Sequence, residues 1–91
     1  MSVTLASLLV ERKLAACANI LAPCRSVYRW KGAVQREEEH PVLLKTTAER
    51  YPQLEEALRG LHPYELPEIL AVPIERGLPA YLEWVAAETK A

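Results

Sequence analysis

Apolar residues near the start of the chain recur at helical spacing. Ala6, Leu9, Val10, Leu14 and Cys17 fall three or four apart, the stripe of an amphipathic helix. Glu11, Arg12 and Lys13 are its polar end, and the pattern predicts a helix from about Thr4 to Ala15. Val3, Thr4 and Val10 are β-branched, so an extended start is the competing reading. Leu5 and Leu8 lie outside the narrow stripe, which predicts cover on more than one side. The period then changes. In "CANILAPCRSVYRW", Ser26, Tyr28 and Trp30 point one way and Val27 and Arg29 the other, as in a strand. Lys31-Gly32 supplies a turn, and "AVQREEEHPVLLKTT" returns as the second arm of a β-hairpin. Its charged first half should project, while Val42, Leu43 and Leu44 should be buried. Pro23 and Pro41 cannot donate to a ladder and belong at an edge or bulge.

A second helical pattern follows in "TTAERYPQLEEALRGLH". Thr46 and Thr47 offer capping oxygens, and Pro52 fits only the first turn, so the regular helix should begin near Glu49. Leu54, Ala57, Leu58 and Leu61 form its inner face. Pro63 ends it, because a residue before proline is pushed away from helical geometry. "HPYELP" reads as a stiff connection, in which Pro63 and Pro67 reduce the entropy lost on folding. "EILAVPI" reads as a strand covered on both faces. "LPAYLEWVAAETK" is a last helix, with Pro79 near its start and Leu78, Tyr81, Leu82 and Val85 on one face. The order is α-β-β-α-β-α. Its first five elements are a split βαβ unit without an opening strand.

Composition bounds the function. The 91 residues suit one domain, 1–91, with 51% apolar and 25% charged residues. So short a chain hides only a modest core, and oligomerisation is a natural way to bury more. Eleven basic against twelve acidic residues leave a formal charge of -1. That is poor material for a nucleic-acid surface or a polybasic membrane anchor. No apolar run approaches the ~18 residues of a membrane span. The opening residues lack the positive start of an export signal, so a cytoplasmic setting with reduced thiols is expected. Cys17 and Cys24 lack CxxC spacing, and on one strand they would lie roughly 20 Å or more apart, beyond disulfide reach. Cys17 reads as a small buried apolar residue, and Cys24, in Pro-Cys-Arg, as exposed.

Five blocks occur together in order: "ERKLAACANI", "SVYRWKG", "LLKTT", "LHPYELPEIL" and "YLEWVAAET". From about Leu9 to Thr89 the chain resembles the CutA proteins, the divalent-cation tolerance family. The resemblance implies an α+β, ferredoxin-like (split βαβ) domain with a long β-hairpin and an extra C-terminal helix. It further implies a PII-like homotrimer in which the arms Cys17–Trp30 and Val34–Thr47 cross between copies. The arms themselves support this, because their exposed edges would be a liability unless paired. CutA proteins also place an apolar strand ahead of the first helix, whereas this sequence opens inside or just before that helix. In a ferredoxin-like sheet that first strand is central, so its absence would leave open backbone edges; a mis-set start or a trimmed or engineered chain is the favoured explanation, and a true absence would have to be filled by a neighbouring chain, a rearranged start or water.

The resemblance makes His62, the His before Pro-Tyr, the metal candidate, with copper or another divalent cation as ligand and no cofactor required. Its neighbour Leu61 offers no donor, and one His is far short of the three or four ligands of a transition-metal site. Local hydrogen bonding at the helix end is the competing role. His40, with Glu37, Glu38 and Glu39, could form a weak cation patch, although charge runs usually mean a solvated face. Tyr28, Trp30, Lys45, Tyr64, Glu68 and Trp84 fall in family blocks that border a cleft between copies. There Lys45 and Glu68 would pair or bind a small anion, against the plainer reading of interface packing. Val3, Thr4, Leu5, Ser7 and Leu8 crowd the first helix with small and apolar residues, a candidate contact surface for a second protein, natural or engineered. No nucleophile–base pair, GxSxG, HExxH or phosphate loop is present. The expected role is therefore non-catalytic: a metal-response protein, or alternatively a trimeric signalling scaffold that takes an effector or protein in its cleft.

Overall fold

The computed structural model describes residues 1–61 and 66–91. Helix α1 spans Val3–Glu11, and the Ser2 side chain caps it by accepting from the Leu5 N–H at 3.2 Å. Four short strands follow: β1 (Cys17–Ile20), β2 (Cys24–Trp30), β3 (Ala33–Glu39) and β4 (Val42–Lys45). Helix α2 covers Tyr51–Leu61 and α3 covers Pro79–Glu88.

The first helix stops four residues short of the expected Ala15. Lys13 takes a left-handed backbone, φ 61. Its N–H donates to Val10 O, and the Leu14 N–H donates to Leu9 O, both at 3.0 Å. These two bonds form a Schellman closure, in which Leu14 folds back onto Leu9. Both leucines belong to the central cluster, so burial outweighs the cost of placing a side chain in left-handed space. Arg50 reinforces the turn, with Nε donating to Lys13 O at 3.0 Å and Nη2 to Arg12 O at 3.2 Å.

Each expected hairpin arm is broken in two. β1 pairs antiparallel with β4, Cys17 opposite Lys45 and Ile20 opposite Val42. β2 pairs antiparallel with β3, Cys24 opposite Glu39 and Trp30 opposite Ala33. Between the two ladders the register slips by one residue, as at a bulge. Pro23 and Pro41 sit at that break and withhold their donors, though Pro41 O still accepts from the Leu21 N–H at 2.9 Å. Lys31 and Gly32 both have positive φ, 49 and 80, as a type I′ hairpin turn requires. Along β2 the expected alternation holds, with Ser26, Tyr28 and Trp30 half-buried and Val27 and Arg29 exposed. The same alternation turns Leu43 outward, 52% exposed, between half-buried Val42 and Leu44. An apolar residue in the middle of a run does not escape the period of two.

The core is small. Leu9, Leu14, Leu54 and Leu58 pack together, with Met1, Leu44, Ala57 and Ile69 against them. Helix α2 begins at Tyr51 rather than near Glu49. Thr47 caps it, its Oγ1 accepting from the Arg50 N–H at 3.2 Å, while Thr46 Oγ1 donates to Leu14 O at 2.8 Å. Of its predicted inner face, Leu54 and Leu58 are buried, Ala57 is half-buried and Leu61 is exposed. The expected strand "EILAVPI" does not form, because residues 67–78 carry no regular element. No described strand lies beside them to complete a ladder. Helix α3 buries Val85 and leaves Leu78, Tyr81 and Leu82 exposed, because among the described residues no element covers that face.

Lys13→Gly is expected to relieve the left-handed strain and raise the urea midpoint by the equivalent of roughly 0.5–1 kcal/mol. Leu58→Ala, which empties the centre of the cluster, should lower it by roughly 2–5 kcal/mol. Equilibrium urea unfolding followed by circular dichroism checks both.

Candidate functional site

The described site candidates lie on four segments of the chain. Tyr28 and Trp30 share one face of β2, because residues two apart on a strand point the same way. The Lys31 ammonium stands 5.7 Å from the Trp30 ring centre, within cation–π range. Trp84 lies on α3 against Tyr81, ring centres 5.6 Å apart and tilted by 39°. Lys45 closes β4, while Glu68 lies in the irregular 67–78 segment. Among the described residues no ion pair joins Lys45 to Glu68, and Lys45 Nζ donates to Asn19 Oδ1 instead. His62 and Tyr64 fall outside the described residues.

The sequence reading missed Asn19. Asn19 sits opposite Leu43, and Lys45 opposite Cys17. That makes Asn19 and Lys45 diagonal neighbours on one face, within reach of a long side chain. The Cys17 thiol also approaches Asn19 Oδ1, at 3.8 Å. The strand pairing was legible, but the diagonal follows only from the register. Cys17 is half-buried rather than buried, at the start of β1, and Cys24 is exposed as expected. Both thiols are free.

Two grooves mark the surface. One, of about 450 Å³, lies between α1 and β1 and is lined by Val3, Ala6, Ser7, Val10, Ala18 and Ile20, with Glu11 at its margin. It takes in part of the small, apolar helix face singled out in the sequence. Leu5, by contrast, is half-buried, and Thr4 and Leu8 are exposed outside it. The other, about 410 Å³, follows the hairpin past Arg25, Ser26, Val27, Arg36, Glu37 and Glu38. No group of three or more His, Cys, Asp or Glu side chains converges as a metal site among the described residues. His40 stands exposed beside its acidic run without forming such a cluster. The described residues alone therefore do not supply a donor set for copper. Nor is any described helix long and apolar enough to cross a membrane.

One titration is perturbed by a contact that the sequence reading also missed. Tyr51 Oη donates to Glu55 Oε2 at 2.6 Å, one helical turn on. That hydrogen bond, then burial, then the charge of Glu55 raise the Tyr51 phenol above its ordinary value.

The comparisons agree on one family. The family described as "CutA1 divalent ion tolerance protein" matches residues 2–88. The chain is 46% identical to the divalent-cation tolerance protein CutA of Thermus thermophilus over 86 residues, which are 94% of this chain and 84% of that one. It is 41% identical to the mouse Protein CutA, but spans only 49% of that longer protein. A solved structure of the Thermus thermophilus protein superposes with a TM-score of 0.91 over 96% of this chain and 84% of that one, at 46% identity. The PII-like protein CutA from Nostoc superposes at 0.88, with 36% identity, over 96% and 85% of the two chains. These likenesses bear out the α+β, ferredoxin-like expectation.

Glu55→Gln should move the Tyr51 titration back toward that of a free phenol. The raised folded-state value favours the neutral phenol. Its stabilisation is therefore present below the unfolded-state value and lost as pH rises through the folded one. Alkaline absorbance titration of the native protein and the variant, each referenced to a Tyr51→Phe background, reads the shift.

Proposed function

The chain belongs to the CutA1 divalent ion tolerance family, and from that premise we propose that it acts as a non-catalytic homotrimer in the cytoplasmic response to divalent metal ions, with weak copper binding. The observation that carries the trimer is uncovered apolar surface. Val27 and Val34 on the hairpin and Leu78, Tyr81, Leu82 and Trp84 around α3 are all exposed in a single copy. An apolar surface so spread over a small domain marks an interaction face. A hairpin whose arms pack mainly on each other is well placed to clasp a neighbour.

Copper would be held through His62. Among the described residues no three His, Cys, Asp or Glu side chains converge, so a copper site would draw on donors from neighbouring copies. No cofactor is required for this role.

A second reading makes the trimer a signalling scaffold, with an effector or protein partner in a cleft bordered by Tyr28, Trp30, Lys45, Tyr64, Glu68 and Trp84. The exposed, mutually packed Tyr81 and Trp84 rings favour it, since aromatic side chains dominate binding surfaces.

Light scattering on the eluting protein should give three times the 10.2 kDa chain mass; a stable mass of 10.2 kDa overturns the trimer. Calorimetric titration with Cu²⁺ should give weak binding to the native chain that His62→Ala removes. Equal, negligible heats from both chains would eliminate the His62 proposal and leave the scaffold reading.

A further inference from the structure

The outer hairpin carries an unbalanced charge. Residues 24–36 hold four basic side chains and no acidic one, while residues 49–88 hold eight acidic against three basic. The register gathers most of the positive charge on one face. Arg25 lies opposite Glu38, Val27 opposite Arg36 and Arg29 opposite Val34. Residues two apart share a face, so Arg36 has Arg25 and Arg29 as diagonal neighbours, roughly 7–8 Å away. All three arginines are exposed. Among the described residues none of them holds a hydrogen bond or an ion pair. Like charges crowded on one face of a ribbon repel and weaken it, and an anionic occupant removes that cost. Val27 and Val34, 66% and 48% exposed, lie among the arginines, so the occupant must offer apolar surface as well.

Helix α3 has that character. It contains no Lys or Arg. Tyr81, Trp84 and Glu88 fall three and four residues apart and share one side of the helix, and all three are exposed. Aromatic rings beside a carboxylate suit guanidinium groups, which stack on the rings and pair with the acid. Every copy thus carries both halves of one contact. We propose that the arginine face of each hairpin seats on α3 of a second copy, a contact that rests on the homotrimer reading above and gives it its surfaces. Arg29 and Arg36 meet Glu88 and the Tyr81 and Trp84 rings, and Val27 and Val34 cover apolar surface beside them. The two surfaces differ, and a contact between unlike surfaces closes into a ring when the rotation allows, as a trimer requires. A single-stranded nucleic acid fits this face less well. Tyr28 and Trp30 lie on the other side of β2, so no ring beside the arginines offers a base a stacking platform.

Energy transfer between copies carrying a donor or an acceptor fluorophore on a short tag after Ala91 reads the contact. Mixing the two and diluting the mixture gives both the affinity and the rate of subunit exchange. Arg29→Glu together with Arg36→Glu should weaken association, or speed exchange, about tenfold or more. Glu88→Arg should act in the same direction. Combining the three substitutions should recover most of the loss, which a folding defect would not allow, and circular dichroism checks that each variant is folded. Native-like transfer and exchange in the reversed hairpin overturn the proposal while the trimer stands, and leave the arginine face to an anion from outside. Loss without recovery in the combined chain also overturns it. Absence of transfer in the native chain overturns the trimer reading itself, and this contact with it.

Discussion

The fold hangs on the packing of four leucines. Leu9 and Leu14 come from the two sides of the α1 turn, and Leu54 and Leu58 from one face of α2. Burying Leu14 requires the chain to reverse within three residues of the helix end, which places Lys13 in left-handed space. The reversal delivers Ala15, Ala16 and β1 beside β4, and Thr46 ties that junction to Leu14 O. Arg50 ties the start of α2 to the same turn through the Lys13 and Arg12 carbonyls. The cluster thus sets where the small sheet begins, yet it is too small to draw in everything apolar. The far hairpin, the 67–78 segment apart from Ile69 and most of α3 lie beyond its reach.

Prolines decide what those outlying parts become. Pro23 and Pro41 interrupt a long two-armed hairpin, and the register slips by one residue across the break. The outer half, β2 with β3, becomes a nearly free-standing ribbon, which on its own is marginal in water. Pro67 and Pro73 bracket Glu68–Val72, which has no backbone hydrogen bond among the described residues. In both places the apolar side chains remain while backbone pairing is limited, an arrangement suited to contacts with other chains.

The local features of this architecture could be read from the residues. The helical stripe of α1, the alternation of β2, the Lys31-Gly32 turn and the buried Leu54 and Leu58 all follow from period and turn chemistry. What could not be read depended on distant partners. Helix α1 ends early because Leu14 folds back onto Leu9, and Arg50 holds that turn through Lys13 O from 37 residues away. "EILAVPI" has the composition of a covered strand, but composition does not supply the neighbouring strand that would pair with it. Leu78, Tyr81 and Leu82 have helical spacing and no described surface to meet. The Lys45–Asn19 bond needed the register, which slips where a one-residue offset is invisible in sequence. The family resemblance located the blocks that hold Lys45, Glu68 and Trp84 but not their geometry, which in the family belongs to a cleft between copies.

The proposed association of copies would cover the apolar surface that the described residues leave bare. Thermal unfolding measured across a hundredfold range of protein concentration tests it directly. If folding is coupled to association, the midpoint climbs steadily as the protein is concentrated. A midpoint that stays fixed from the most dilute sample to the most concentrated would mean that the isolated chain is self-sufficient, and would contradict the account.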